Sequence, residues 1–120
     1  MAFARLWVSG LSRNWGSGSL YSSTVENKTG EISSQWCRGS WASNGETFLG
    51  GGGHCTSIDA DGEYLWLWFQ PTGPDENRWG VIGGSGKWEG ATGAGASKTV
   101  SQSPDGRSWV ATTKGKIKRR

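Results

Sequence analysis

Aliphatic residues are scarce: Leu, Ile and Val together number only fifteen of 120 residues, beside three Pro, two Cys, one Met and one His. With so little branched aliphatic bulk, aromatic side chains must supply much of any core. No apolar run approaches the roughly 18 residues needed to cross a bilayer as a helix, and the mean hydropathy is −0.58. No transmembrane segment is therefore expected. At this length about two-thirds of the chain's surface can be buried in one domain, which excludes a second catalytic domain. Two cysteines cannot build a Cys-only zinc site, and one histidine leaves no cluster of metal ligands. What is abundant is glycine, 21 residues, and tryptophan, 9. Each interior Gly costs a helix about 1 kcal/mol relative to Ala, which argues against an all-α fold.

The formal charge is +3, yet Lys114, Lys116, Lys118, Arg119 and Arg120 carry five of the thirteen positive charges, which leaves the rest of the chain at −2. Residues 114–120 read as a basic C-terminal tail on a mildly acidic domain spanning 1–120. Such a tail can touch phosphate, RNA or an anionic membrane through charge alone, but terminal charge runs are usually just solvated. A domain that tracks nucleic acid carries a basic face, so no specific nucleic-acid partner is expected.

Cys37 and Cys55 are an even pair in a small Gly-rich chain. They fit one disulfide in an oxidising compartment, or two buried free thiols. Cross-linking the 17 residues between them stabilises by about 3 kcal/mol in the chain-entropy picture. Residues 1–20 show no charged segment followed by an apolar one of the secretory kind. The disulfide reading expects a periplasmic or secreted protein, with any signal peptide absent from this chain.

Short alternating segments divide the sequence into β-strands over about 20–26, 31–38, 47–59, 63–70, 78–82, 95–101 and 108–117, with an eighth near 5–9. Between them lie Asn27-Lys28-Thr29-Gly30, Asn44-Gly45, Asp61-Gly62, Pro71-Thr72-Gly73-Pro74 and Asp105-Gly106. Each offers residues that tolerate turn geometry. Seven or eight strands at this spacing suggest a barrel or sandwich. In the 63–70 strand, Tyr64, Trp66 and Trp68 face one way and Leu65, Leu67 and Phe69 the other, so both faces are apolar. One lines a lumen, and the other needs a covering segment or a second subunit. In the last strand, Trp109, Ala111, Thr113 and Ile117 alternate with polar residues.

The segment Gly83-Gly84-Ser85-Gly86-Lys87-Trp88-Glu89-Gly90-Ala91-Thr92-Gly93-Ala94-Gly95 is the most distinctive. A phosphate-loop reading fails because Trp88 occupies the Ser/Thr position and no helix follows, so no nucleotide or other cofactor is expected. The segment instead resembles the pattern G-[ST]-G-[KR]-[FWY]-x-G-A-x-G-x-G of the allene oxide cyclase-like barrels, the dirigent proteins and related small bacterial barrel proteins. Cys37, Asn44-Gly45-Glu46, Gly53-His54-Cys55 and Asp59-Ala60-Asp61-Gly62-Glu63 precede it in the order of uncharacterised bacterial members, and the resemblance covers about residues 35–97. It implies an all-β, antiparallel eight-stranded barrel with an apolar central cavity, often a trimer in the plant relatives. Those relatives steer reactive intermediates by cavity shape, and none of their acids and bases aligns residue by residue here.

Candidate sites carry competing readings. His54 beside Cys55 suggests a nucleophilic pair, but strand neighbours point to opposite faces. Asp59, Asp61 and Glu63 have half the spacing of a calcium loop without its distal Glu, and also fit a plain Asp-Gly hairpin. Trp36, Trp66, Trp68, Trp79, Trp88 and Trp109 form a core, a sugar-stacking platform or a lumen for an apolar ligand. The reading adopted is a binding barrel: Trp36, His54, Glu63, Tyr64, Trp66, Trp68 and Trp79 surround a small apolar or aromatic molecule, Arg38 is a further polar group nearby, and a homodimer or homotrimer is the expected assembly. The alternatives are a cofactor-free cyclase or isomerase using Tyr64 or Glu63, and a carbohydrate- or protein-interaction module.

Overall fold

The computed structural model describes residues 2–9, 13–15, 18–28, 30–44, 47–73, 75–105 and 108–120. Nine antiparallel strands make up almost all of it: β1 (Ala2–Ser9), β2 (Arg13–Trp15), β3 (Gly18–Glu26), β4 (Ile32–Asn44), β5 (Thr47–Asp59), β6 (Tyr64–Gly73), β7 (Glu76–Gly84), β8 (Thr92–Gln102) and β9 (Ser108–Lys118). They pair in the order β1-β9-β8-β7-β6-β5-β4-β3-β2. A further pairing of β1 with β3 through Arg5↔Glu26, Leu6↔Val25 and Trp7↔Thr24 closes eight of them into a ring. The all-β barrel is as expected. The ninth strand is β2, three residues long and paired only with β3, too short for alternation to reveal. The turn residues Thr29, Gly45, Glu46, Pro74 and Gly106 lie outside the described residues.

Which residues face inward is settled by register. Cys37 and Cys55 sit directly opposite each other on β4 and β5, both buried and joined as a disulfide. Cys55 in turn faces Leu67 on β6. The inward row of β6 is therefore Leu65, Leu67 and Phe69, and the outward row is Tyr64, Trp66 and Trp68.

The basic segment 114–118 is not a tail but the end of β9. Lys114, Lys116 and Lys118 are exposed, while Gly115 and Ile117 between them border the barrel's interior. Alternation with inward residues, visible in the sequence, outweighs the terminal position.

Aromatic rings inside the ring of strands are accommodated by glycine. Trp79 on β7 pairs with Gly95 on β8, and Gly95 pairs with Gly115 on β9. A Cβ at either glycine would collide with the Trp79 indole, so the ring lies across two strands that carry no side chain there. Phe69 occupies the space opposite Gly39 in the same way. Replacing Gly115 by Ala forces the indole or the Ala94 carbonyl to move and is expected to cost about 1–3 kcal/mol. Gly73, with nothing within 4 Å of a Cβ, serves as the control, and its Ala variant should match or slightly exceed the parent. Urea denaturation of the two variants checks the contrast.

Candidate functional site

The interior holds a cavity of about 220 Å³. Its apolar wall comes from Leu65, Leu67 and Phe69 on β6, Trp79 on β7, and Trp109, Ala111 and Ile117 on β9. Ser33, Gln35, Ser57, Ser97, Thr99 and Thr113 supply polar patches. The Trp79 indole N–H donates to Thr113 Oγ1 at 2.6 Å, and that hydroxyl donates to the Ala96 carbonyl at 3.1 Å. The large ring is thus held at fixed tilt by a hydrogen-bonded chain reaching into β8.

The motif singled out in the sequence contributes Trp88 to the cavity wall. Ser85 opens a one-turn 3-10 helix, Gly86–Trp88, in place of the strand crossing expected there. Ser85 N–H donates to the Tyr64 carbonyl at 2.9 Å, and Tyr64 N–H donates to Ser85 Oγ at 2.9 Å, which ties the turn to the start of β6. Gly86 has φ +56°, and a Cβ there would strike the Glu63 carboxyl group. Only glycine meets both demands. Trp88 then forms part of the cavity wall, its ring approached by Lys87 Nζ and by the Arg119 guanidinium, each 5.7 Å from the centroid.

Asp59 is the hub of the contacts around this motif. Its Oδ1 accepts the N–H groups of Asp61 (2.9 Å) and Glu63 (3.0 Å), shaping the Asp-Gly hairpin between β5 and β6. Its Oδ2 accepts the Trp88 indole N–H at 2.8 Å and lies 2.9 Å from Lys87 Nζ. Lys87 also bonds Asp61 Oδ2 at 2.7 Å, and its backbone N–H donates to Glu63 Oε2 at 3.1 Å. Burial pushes the Asp59 carboxyl upward, but the bonds from Trp88, Lys87, Glu63 and Asp61 outweigh it and hold the group well below the usual carboxylate range. Hydrogen bonds to Asp61 and Asp59 raise Lys87 correspondingly. The acidic spacing is a hairpin latched by an ammonium and an indole, and no group of three or more metal-ligating side chains occurs among the described residues.

The predicted site residues divide between the two faces of the barrel. Trp79 and Glu63 border the cavity. Trp68 also borders it, although its indole belongs to the outward row and lies over Gly80. Trp36, His54, Tyr64 and Trp66 sit on the outer surface with Arg38, all exposed, so they do not line the lumen as the sequence reading expects. The reason is register: the row Cys37↔Cys55↔Leu67 points inward, and the residues that alternate with it on β4, β5 and β6 point outward. Trp36 and Trp66 share one row across β4, β5 and β6 through Thr56. The Tyr64 and Trp66 rings are parallel within 9°, with centroids 6.3 Å apart. Cys55 is disulfide-bonded and His54 faces away from it, so the nucleophilic pair does not exist. Asp59, Trp88 and Trp109 border the cavity outside the adopted ligand set, although Trp88 and Trp109 are among the six tryptophans that the sequence offers for a lumen. The inward alternation of Trp109 with Ala111 and Thr113 was a legible signal for one of them.

No protein-family model matches the sequence, and no curated protein matches it significantly. Among solved structures the barrel is similar to that of the pterocarpan synthase dirigent protein GePTS1, with a TM-score of 0.67 and 12% identity over 100% of this chain and 88% of that chain. The likeness supports a dirigent-like fold.

Asp59→Asn places an amide N–H₂ against the Trp88 and Lys87 donors, and should lower stability at neutral pH by about 1–3 kcal/mol. Because the native carboxyl is lowered, its contribution is complete above the ordinary value of 3.8 and fades as the pH falls below that toward the native value. The parent's stability should therefore drop below pH 4 more steeply than the variant's, which urea midpoints between pH 2 and 7 would reveal.

Proposed function

We propose that this protein is a binding barrel that takes one small apolar or aromatic molecule into its lumen. The observation that carries the reading is the cavity of about 220 Å³ walled by Trp79, Trp109, Leu65, Leu67 and Phe69. It is smaller than the roughly 300–1,000 Å³ of pockets for drug-sized ligands, which points to an occupant of one or two fused rings. The Cys37–Cys55 disulfide supports an oxidising, extracellular or periplasmic setting. Among the described residues no helix is long and apolar enough to cross a membrane.

The dirigent-like fold also supports a guiding role, in which the lumen shapes the path of a reactive intermediate. If the barrel turns over a substrate as a cyclase or isomerase, Glu31, Asp59 and Glu63 are the carboxylates at the wall near the reacting molecule. Tyr64, on the outer surface, is not at that wall. Binding itself is tested by calorimetric titration with 2-naphthol. The parent should bind, Ala111→Leu, which fills the lumen from β9, should bind at least tenfold more weakly, and Trp66→Ala on the outer face should be unaffected. Absence of binding by the parent, or equal binding by a folded Ala111→Leu variant, overturns the reading, with circular dichroism confirming the fold and Ala111→Val as the milder alternative.

A second reading rests on the outer surface of β4 to β6, where Trp36, Tyr64 and Trp66 remain 43%, 37% and 40% exposed beside Ile32. Contiguous apolar surface of this kind marks an interface, and we propose a second copy of the chain as its occupant. Sedimentation velocity should show a dimer or trimer that Trp36→Lys with Trp66→Lys converts to monomer. A parent that stays monomeric up to high micromolar concentration overturns it.

A further inference from the structure

Among the described residues, the cavity wall carries charge of one sign. Among the described residues that border it, the ionisable ones are Glu31, Asp59 and Glu63, and no lysine, arginine or histidine is among them. They come from two different hairpins. Asp59 and Glu63 flank the β5–β6 turn. Glu31 stands in the β3–β4 connection, where its backbone N–H donates to Asn27 Oδ1 and its carboxylate accepts the Asn27 side-chain amide, both at 2.9 Å. Lys87 and Arg119, the cations that contact Asp59 and the Trp88 ring respectively, are engaged outside the wall. Lys87 is shared between Asp59 and Asp61 and stands 3.9 Å from Glu63 Oε2, and Arg119 lies over the Trp88 ring. One ammonium cannot neutralise Asp59, Asp61 and Glu63 together, and no cation among the described residues is paired with Glu31 by the bonds that hold its turn. A ligand in this lumen therefore meets an excess of negative charge with its polar end, an attraction or repulsion that is strongest at low ionic strength.

Resting on the binding-barrel reading above, we infer that the lumen selects neutral or cationic aromatic molecules and rejects anionic ones such as carboxylates, sulfonates and phosphates. The aromatic wall supplies the affinity, and its ring faces favour a cation further. Glu31, Glu63 and Asp59 supply the discrimination. A free fatty acid or an aromatic carboxylate has no basic anchor among these residues, whereas an amine finds acceptors at the cavity's own wall.

Three probes of one size and different charge test this: 2-naphthol, 2-naphthoate and the 2-naphthylmethylammonium ion, titrated calorimetrically at pH 7 and low ionic strength. The cation should bind at least tenfold more tightly than the anion, with the neutral probe also ahead of the anion. In Glu31→Gln with Glu63→Gln, both of which keep an acceptor oxygen for the existing hydrogen bonds, the preference should shrink at least threefold. Glu31→Gln alone, in the exposed turn, serves if the double variant does not fold. A cation-to-anion ratio below three in the parent, or a ratio unmoved in the folded variants, overturns the inference while leaving the binding barrel standing. Failure of all three probes to bind overturns both.

Discussion

The width of a closed eight-stranded ring governs this molecule. Inward side chains from all sides compete for one narrow space, so each large ring requires an absence elsewhere. Trp79 lies over Gly95 and Gly115, Phe69 fills the place opposite Gly39, and on the outside Trp68 lies over Gly80. A composition rich in both the largest and the smallest side chain follows from this constraint. The same pairing leaves room for a cavity: where glycine and alanine line β8 and β9, the rings reach across without filling the centre.

The barrel's end depends on a different kind of contact. A single carboxylate, Asp59, uses one oxygen to shape the β5–β6 turn and the other to hold Trp88 and Lys87 from the glycine-rich segment. Trp88 is therefore positioned by its N–H rather than by packing alone, and it forms part of the cavity wall. A buried carboxylate without such partners would shift toward its neutral form. Here four donors reverse that tendency, so the group that shapes the hairpin also leaves its charge at the edge of the lumen.

Much of this architecture is legible in the sequence, and the unread part has specific causes. Seven strands and a candidate eighth emerge from alternation and turn residues, and the two apolar faces of β6 are both present. Alternation reports that a strand has two faces without saying which is inside. That assignment needs the register Cys37↔Cys55↔Leu67, a long-range fact, and without it the tryptophans of β6 are natural candidates for the lumen. The bond from Trp88 to Asp59 spans 29 residues and has no local signature. The glycine motif is visible, but the 3-10 turn within it arises from docking onto Glu63 and Tyr64, neither of which adjoins it in sequence. At the C-terminus the local pattern was the better guide: Gly115 and Ile117 between the lysines already describe a strand with one basic face.

The division between faces is what gives the fold its functional character. Outward, β9 presents Lys114, Lys116 and Lys118, while β4 and β6 present Trp36 and Trp66. Inward, the same sheet presents hydrocarbon and indole with patches of hydroxyl and amide, and among the described residues its charge is confined to carboxylates from two hairpins. A lumen built this way holds a molecule by its rings and sorts it by the charge of its polar end. The first property belongs to the strands, because ring and glycine rows must match for the barrel to close. The second belongs to the turns, where the Glu31 carboxylate accepts from the Asn27 amide and the Glu63 carboxylate accepts the Lys87 N–H, bonds that a neutral amide oxygen at either position can also accept. Ligand selectivity in such a barrel can therefore change by substitution in two hairpins without disturbing the packing that forms the cavity.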